Sequence, residues 1–348
     1  MKLDDRIAVL DQLGRQLLSE DDEFLTALMK RTAFHNGWFT LAAQQRALRA
    51  VASNFLSADK LREWAAAYPQ LFSPAPRRQK TIGLVLAGNI PLVGMHDIVA
   101  VFLAGHAAQL KLSSKDPYVL PYLLRRLAKI DPATEPYFKV VENLRNFDAI
   151  IATGSNNSSR YFEAYFGKYP HIIRRNRNAV AVLTGEETRE ELRRLGDDVF
   201  SYFGLGCRNV SKLYVPRDYD FGPLLEVFHE WKELQNHTKW KNNFDYNFAL
   251  LTLNKEPFLH NGALILREDE GLASHIAGLF YAYYDDLGAA AQEIRDRDGG
   301  IQLTVARPGT LPLPTYDFGT AQQPALTDYA DGVDTLAFLT GAGLETPG

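Results

Sequence analysis

The chain has 348 residues, 46% of them hydrophobic and 23% charged, and a net charge of −4. These values are typical of a globular protein large enough for two domains, and they indicate neither a nucleic-acid groove nor a polybasic membrane patch. The single cysteine excludes an intrachain disulfide and a cysteine-rich metal site, which fits a reducing compartment.

Two further features argue against export and membrane insertion. Acidic residues stand near the amino terminus, where a signal peptide would need basic residues before an apolar run. The longest apolar run, from Ile98 to Leu110, is interrupted by His106 and is too short for a span of about 20 residues. We therefore expect a cytoplasmic protein without stable membrane insertion and without a nucleic-acid partner.

Residues 1–75 are predicted to form a helical amino-terminal segment. Leucine and isoleucine recur at helical spacing over residues 3–18, and residues 41–55 contain neither glycine nor proline. Prolines and basic residues over 74–80 are typical of a linker. A helical prefix of this kind more often packs as a cap or an oligomer arm than it carries chemistry.

Residues 76–203 are predicted to form a nucleotide-binding domain. Short apolar runs alternate there with helical patterns, which implies parallel βαβ units in a doubly wound sheet. Ligands of such sheets bind at the carboxyl ends of the strands. The predicted strands cover residues 81–87, 107–112, 138–141, 148–153 and 179–183, and the predicted helices cover 92–105, 117–129, 158–166 and 187–203.

Residues 204–310 are predicted to form a second α/β domain. Its predicted strands cover residues 210–215, 263–266, 276–284 and 301–305, and its predicted helices cover 223–233 and 289–295. The tail, residues 311–348, is rich in proline and glycine up to a helix expected to begin near residue 326. We expect this tail to pack back on the core.

Two strand ends lead into glycine-containing turns. Gly88 and Asn89 follow the first predicted strand, and Gly154 and Ser155 follow the fourth. Both turns place small residues where a helix begins and so offer backbone N–H groups to a phosphate. Ordinary helix caps have the same composition, so these turns alone do not decide between a phosphate site and a structural turn.

A lysine closes the second predicted strand. Lys111 is followed by Ser113 and Ser114, and an ammonium group beside two hydroxyls could hold a ribose or a phosphate. A solvated strand end explains the same residues equally well.

The only cysteine lies in a glycine-rich turn. Cys207 follows Gly204 and Gly206 and precedes Arg208, between a helical pattern and an apolar strand. The glycines allow a sharp turn and the close approach of a carbonyl, and a neighbouring cation favours the thiolate, as a covalent catalyst requires. The alternative is a small buried residue at a turn, since cysteine is among the most buried residue types.

The order of these segments resembles the aldehyde dehydrogenase superfamily. Three segments are similar to its acyl-CoA reductase branch, which includes the fatty-acyl-CoA reductase of bacterial luminescence: residues 86–91, 174–179 and 204–209. The similarity covers about residues 80–340. It implies an aldehyde-dehydrogenase-like α/β fold, with a Rossmann-type cofactor domain, a second α/β catalytic domain and a helical amino-terminal segment.

The resemblance also implies residue roles. Cys207 would attack the thioester carbonyl of an acyl-CoA, and the side-chain amide of Asn89 would form the oxyanion hole with the backbone N–H of the cysteine. Lys111 would hold the adenosine ribose of the cofactor. Gly154 and Ser155 would lie under its pyrophosphate.

Two departures from the superfamily pattern bear on the reaction. Oxidising members carry a glutamate that activates water, whereas residues 172–177 contain no carboxylate, which favours reduction of a thioester over release of a carboxylic acid. Members that prefer NAD often place a glutamate where this chain has Ser114, with Lys115 next. We therefore expect NADPH, with NADH as the alternative.

The proton donor and several other groups are less determined. His171 is the candidate donor of a proton to the reduced acyl group, because histidine is the side chain that most often acts as a general acid, although lone histidines are more often structural. No histidine pair has the spacing of a zinc site, so no metal is expected.

The arginines of residues 174–177 could meet phosphates or face solvent. The aromatic residues of 240–248 and 280–284 could line an acyl tunnel or fill a core.

The sequence therefore predicts an NADPH-dependent reductase of a long-chain acyl-CoA that works through an S-acyl-cysteine. One alternative is a reductase of acyl phosphates or of acyl groups delivered by a partner protein. Another is a nucleotide-binding or partner-binding protein that has kept the fold without the reaction. We also expect a homo-oligomer.

Overall fold

Four helices open the chain, as the helical spacing predicts. The structure is a computed structural model that describes residues 1–19, 21–73, 78–341 and 344, so most of the predicted linker, residues 74–77, lies outside the described residues. Apolar side chains of the four helices pack in the core described below. The helices are α1 (Leu3–Ser19), α2 (Glu23–His35), α3 (Leu41–Phe55) and α4 (Ala58–Ala66).

A parallel sheet follows, with helices between most of its successive strands. Its strand order is β3-β2-β1-β4-β5. The strands are β1 (Thr81–Val85), β2 (Ala107–Lys111), β3 (Phe138–Val140), β4 (Ala149–Thr153) and β5 (His171–Arg174). The helices between them are α5 (Met95–Leu103), α6 (Val119–Ile130) and α7 (Asn156–Phe166). The strand β5 is not among the predicted elements, because its four residues include a histidine and an arginine.

The core of this first unit lies around α5. Eight of the nine residues of α5 are buried, because the helix is apolar on almost every side. Among these buried residues, Asp97 is the one with a charged side chain, and it is 5% exposed. A buried carboxylate needs a partner, and the partner is described with the site below.

A second sheet forms a separate unit. Its strand order is β11-β6-β7-β10-β9-β8, and every pair is parallel except β8 with β9. The strands are β6 (Asn178–Val182), β7 (Val210–Pro216), β8 (Leu259–His260), β9 (Ile265–Glu268), β10 (Gly278–Tyr284) and β11 (Ile301–Val305). The helices are α8 (Arg189–Phe200), α9 (Phe221–Phe228), α10 (Thr238–Asn254) and α11 (Leu287–Asp296).

The units divide the chain differently from the predicted domains. One unit comprises residues 1–176 and 324–348, and the other comprises residues 177–323. The strand predicted at 179–183 is β6, which pairs with β7 and β11 in the second sheet instead of extending the first. The predicted boundary at residue 203 is therefore wrong, because the backbone partners of β6 and not its apolar composition decide its sheet.

The predicted tail is divided between the units. Residues 324–341 belong to the first unit and end in α12 (Thr335–Thr340), while residues 311–323 belong to the second. Leu326, Leu336 and Leu339 are buried in the first core. In the part of the chain that the structure describes, no helix has the length and hydropathy needed to cross a membrane.

Candidate active site

The first sheet contains a topological switch point. The chain leaves β1 toward β2 on one side, and β4 returns on the other side of β1. The connections after β1 and β4 therefore diverge and leave a crevice at the carboxyl ends of the two strands, which is where open α/β sheets bind ligands. The predicted turns at Gly88–Asn89 and Gly154–Ser155 lie at these two strand ends.

The turn after β1 requires a glycine. A Cβ on Gly88 would lie 2.1 Å from Ser113 Oγ, so any side chain would displace the loop after β2. Farther along the turn, Leu92 has a positive φ of 56°. The Asp116 carboxylate accepts a hydrogen bond from the Leu92 N–H at 3.2 Å and holds this backbone. Asn89 is half-buried between these two fixed points.

The turn after β4 brings a helix close to the strand end. Ser155 is the N-cap of α7, and its hydroxyl accepts a hydrogen bond from the Ser158 N–H at 3.3 Å. A Cβ on Gly154 would lie 2.7 Å from the Phe162 ring, so the glycine permits this close approach. The first N–H groups of α7 thus lie beside the crevice, as a site for a phosphate requires.

Lys111 lies at the edge of a cleft next to the crevice. The cleft has a volume of about 660 Å³. Its lining is mostly aromatic and apolar, with Lys111 and Lys168 as its cations: Val85, Lys111, Asn143, Leu144, Phe147, Phe162, Tyr165, Phe166, Lys168 and Tyr169. A flat apolar cleft with cations at its edge has the chemistry to hold a nucleoside.

The two serines predicted with Lys111 lie elsewhere. Ser113 packs against Gly88, and neither Ser113 nor Ser114 lines the cleft. The backbone carbonyl of Ser114 accepts a hydrogen bond at 2.7 Å from His35 when that ring is protonated at Nε2. The structure therefore brings only Lys111 of this predicted group to the cleft.

The resemblance implies that Lys111 holds the ribose of a nicotinamide nucleotide. On that expectation, Lys111→Met should raise the KM for the nucleotide about 10-fold or more, because a hydrogen bond to a charged group contributes about 1.5–3 kcal/mol. Steady-state kinetics with varied nucleotide measures this change. Lys139→Met, on the exposed face of β3, is the matched control and should leave the KM unchanged. Equal effects of the two substitutions would contradict the nucleoside site.

His171 is placed away from this edge. It is the first residue of β5 and pairs with Ile150 near the start of β4, whereas the crevice lies at the other end of these strands. Its Nδ1 lies 2.8 Å from the Tyr169 carbonyl, and its Nε2 lies 3.9 Å from the Glu163 carboxylate. The structure therefore places His171 at the end of the strands opposite the crevice, because the residue type that suggested a proton donor carries no information on position.

The arginines near residue 175 have structural partners. Arg174 is buried, and its guanidinium donates to Asp97 at 2.6 Å and to Thr335 at 2.8 Å. Arg177 donates to the backbone carbonyls of Asp298 and Ile301. The sequence left open whether these arginines bind phosphates or face solvent. Arg174 and Arg177 do neither in the structure, because their guanidinium groups bind other parts of the protein.

In the second unit, Cys207 occupies a tight turn between α8 and β7. The Asn209 N–H donates to the Gly206 carbonyl at 3.1 Å, which puts Cys207 and Arg208 at the two central positions of the turn. The thiol-bearing residue is half-buried. Tyr202, Phe203 and Gly204 before it all have left-handed backbone conformations, with φ of 52°, 58° and 69°. Such runs are uncommon outside functional sites, since each non-glycine residue costs about 1–3 kcal/mol.

Asn209 is the residue of this turn whose role the sequence did not indicate. It is 2% exposed. Its side-chain carbonyl accepts from the Gly206 N–H at 2.8 Å, and its amide donates to the backbone carbonyls of Asp198 and Ser201, each at 2.9 Å. The only sequence signal that could have found it is the position of an asparagine, which can both donate and accept, two residues after the thiol.

Arg208 is directed at neighbouring groups of the second unit. Its Nε donates to the Ala321 carbonyl at 2.6 Å, and its guanidinium lies 5.0 Å from the centre of the Tyr316 ring. The cation predicted beside the thiol is therefore held in one orientation.

Among the residues that the structure describes, no group of three or more His, Cys, Asp or Glu side chains is placed to hold a metal ion.

Several of the aromatic residues that could line an acyl tunnel or fill a core are buried. Trp240 and Phe244 of α10 are 2% and 8% exposed, and the Trp240 indole donates to the Ala263 carbonyl at 2.9 Å. Phe280 of β10 is also buried, while Tyr246 is on the surface. The core interpretation is the one that these buried residues support.

Comparison with known proteins adds the family and the fold. The model of a protein family described as acyl-CoA reductase (LuxC) matches residues 1–227, which is more than half of the chain. A comparison with curated proteins found no match.

Solved structures similar to this chain are aldehyde dehydrogenases and related oxidoreductases. An oxidoreductase from Marinobacter aquaeolei has 12% identity and a TM-score of 0.65, and the alignment covers 93% of this chain and 79% of that one. A mutant of the P. syringae indole-3-acetaldehyde dehydrogenase AldA, in complex with NAD+, has 14% identity and a TM-score of 0.63, with 89% and 73% covered. A mutant of the propionaldehyde dehydrogenase from Clostridium phytofermentans has 10% identity and a TM-score of 0.62, with 89% and 79% covered. The fold is therefore the aldehyde-dehydrogenase-like α/β fold that the resemblance implied.

Proposed function

Since the chain belongs to the acyl-CoA reductase (LuxC) family, we propose that it reduces a long-chain acyl-CoA to the aldehyde with NADPH, through an acyl group bound to Cys207. The observation that carries this proposal is the position of Cys207 at the centre of the turn closed by Gly206 and Asn209. A half-buried thiol on a fixed turn can be presented to a carbonyl in one orientation, as covalent catalysis requires.

The chemistry at Cys207 is thioester exchange. The cysteine thiolate attacks the acyl carbonyl, the bond from that carbon to the sulfur of CoA breaks, and the thiolate of CoA leaves and takes up a proton. A thiolate serves both as nucleophile and as leaving group, so the acyl group passes to Cys207 without a stronger base. We propose for Asn89, in the turn after β1, the role that the resemblance implies, an amide donor to the developing oxyanion.

The residues of the first unit fit a dinucleotide. Gly88 and Gly154 stand at tight turns where a Cβ would collide with neighbouring atoms, and the turn at Gly154 leads directly into the first N–H groups of α7. We propose that Gly154 and Ser155 hold the pyrophosphate and that Lys111 holds the ribose in the aromatic cleft. When bound, a nicotinamide nucleotide would supply a hydride to the acyl carbon. With one proton and cleavage of the bond from that carbon to the Cys207 sulfur, the acyl group would leave as the aldehyde and the thiol would be restored. The preference for NADPH rests on Ser114 in place of a glutamate, as the resemblance implies.

The segment of residues 172–177, which covers most of β5 and the three residues after it, supports reduction over hydrolysis. Residues 172–177 hold no carboxylate that could activate water, and Arg174 within them is buried against Asp97. The acyl group on Cys207 should therefore persist until it is reduced or returned to CoA. A cytoplasmic location and a homo-oligomer remain predictions.

The test separates the acyl transfer from the reduction. Incubation with acyl-CoAs of increasing chain length, without nucleotide, should add one acyl mass to the peptide that contains Cys207 and release one equivalent of CoA. Addition of NADPH should then remove that mass and yield the aldehyde, and NADH should act less well. An acyl phosphate and an acyl carrier protein serve as alternative donors. Nucleotide binding without acylation by any donor would contradict the proposal and identify a catalytically silent member of the fold.

A further inference from the structure

The turn that carries Cys207 is anchored to α8 on its Asn209 side. Asn209 donates to the carbonyls of Asp198 and Ser201 at the carboxyl end of this helix. Such carbonyls have no partner within the helix, so the asparagine both satisfies them and fixes the turn to the helix end. The same asparagine closes the turn through the Gly206 N–H.

The Asp198 side chain provides a second anchor. Asp198 is fully buried. Its carboxylate oxygens accept from the Gly319 N–H at 2.7 Å and from the Ala321 N–H at 3.0 Å. The carbonyl of Ala321 in turn accepts from Arg208 Nε at 2.6 Å. The backbone at Ala321 is therefore held between the carboxylate of α8 and the guanidinium next to the thiol.

Both anchors converge on one residue. The Asp198 carbonyl binds the asparagine that ends the turn, and the Asp198 carboxylate fixes the loop that orients Arg208. Through these two routes, hydrogen bonds connect Asp198 to the turn and to the cation at its centre. Asp198 reaches the turn through its contacts with Asn209 and with the backbone at Ala321, so it would act on the reaction by positioning and not by touching substrate.

We propose that Asp198 is a positioning residue for Cys207, acting through Asn209 and through the Ala321–Arg208 contact. The proposal rests on the proposed function, since it assigns the residue to the same thiol. It predicts that loss of the carboxylate loosens the loop of residues 319–321 and lowers the rate of acyl transfer while substrate affinity is nearly kept.

The charge state of Asp198 adds a pH dependence. Burial raises the pKa of Asp198 to about 7, against the lowering effect of the two backbone N–H groups. Asp197 beside it raises the pKa further and Arg194 lowers it. Arg208 and Asp317, which lies near Arg194, are the charged groups of the turn and of the loop. The ionised carboxylate accepts both N–H groups, so the anchor weakens as the pH falls through about 7.

The test compares Asp198→Asn with Asp197→Asn. Asp197 is the neighbouring carboxylate on α8, more exposed and 3.7 Å from Arg193, and serves as the matched control. We expect Asp198→Asn to lower kcat about 10- to 100-fold with the KM for acyl-CoA changed less than about 3-fold, since small displacements of reacting groups have effects of this size. Asp197→Asn should keep both values.

The rate of alkylation of Cys207 by iodoacetamide gives a readout that needs no catalysis. Because the chain has one cysteine, the label reports on this thiol alone. In the wild-type protein the rate should follow two ionisations between about pH 5.5 and 9, one of them near 7, and Asp198→Asn should remove that one. A wild-type profile with a single ionisation overturns the proposal even if the variant does not fold. An unchanged kcat in folded Asp198→Asn also overturns it, whereas absence of acyl-CoA reduction with a two-ionisation profile refutes only the proposed function.

Discussion

Cys207→Ala should lower the rate of acyl-CoA reduction by about 10³-fold or more. The substitution removes the atom to which the acyl group is transferred, and the chain has no second thiol that could replace it. Losses of this size are typical when a covalent nucleophile is deleted, because the remaining groups only bind and orient the substrate. Nucleotide oxidation followed by absorbance, with wild-type protein and variant at equal concentration, measures the change.

Two controls make the Cys207→Ala result interpretable. Nucleotide binding, followed by fluorescence titration, should be unchanged, because the proposed nucleotide residues lie in the first unit and Cys207 lies in the second. The thermal unfolding midpoint should change little, since alanine is smaller and fits the same half-buried position. An alanine variant that keeps its rate would show that the reaction does not pass through this thiol.

Arg174→Met should destabilise the protein by about 3–5 kcal/mol, which is the effect of removing one partner of a buried ion pair. Arg174 and Asp97 each expose 7% of the side chain and lie 2.6 Å apart. The substitution leaves the Asp97 carboxylate within an apolar helix and also removes the donor to Thr335 of α12. Urea unfolding of both proteins measures the difference in the free energy of unfolding.

Arg175→Met is the matched control for this substitution. Arg175 is the next residue, and it pairs with Glu163 at 3.5 Å, but its side chain is 63% exposed. Exposed pairs contribute little, so the control should change stability by less than about 1 kcal/mol. The double variant Asp97→Leu, Arg174→Met should recover part of the loss, because it leaves no buried charge. Equal effects at positions 174 and 175 would show that burial of the pair is unimportant.

The same pair predicts an acid transition. Burial alone would raise the pKa of Asp97, but the Arg174 guanidinium and the contact with His96 lower it to about 2. Because the pKa is lower in the folded protein than the ordinary value of 3.8, the pair contributes stability above pH 4 that is lost as the pH falls through about 2. In Arg174→Met the sign reverses, since the unpaired carboxylate is most unfavourable when ionised. Urea midpoints measured between pH 7 and pH 5 should then rise for the variant as the pH falls.

Most strands and helices were predictable from local patterns. Short apolar runs indicated β1, β2 and β4, and their parallel order followed from the alternation with helices. The strand β6 shows where this reasoning ends: a strand buried on both faces has the same composition in either sheet, so the pattern does not reveal its partners. The helix α10 was missed because its asparagines and aromatic residues are weak helix formers, and its buried Trp240 is a property of the folded core.

The candidate site was predictable in part. Small residues at strand ends indicated the turns at Gly88 and Gly154, because the requirement for space there is visible in the residue type. His171 was chosen for its chemistry, but its place at the start of β5 depends on strand register. Asp198 carried no signal either, since a carboxylate within a charged helical segment is indistinguishable from its more exposed neighbour Asp197 until the loop of residues 319–321 is seen to bind it.

The first unit is made of two chain segments that are separated in the sequence by the second unit, and this has a consequence for the order of folding during synthesis. Leu326, Leu336 and Leu339 fill part of its core, and the Tyr329 hydroxyl accepts from the Trp64 indole at 2.7 Å. These residues are translated more than 150 residues after the last residue of the sheet that they cover, Arg174. The second unit, residues 177–323, is contiguous and is therefore the first to be complete on the ribosome. The first unit can complete its core only after the second unit has been synthesised. This is the reverse of the usual order, in which an amino-terminal domain folds before the domain that follows it.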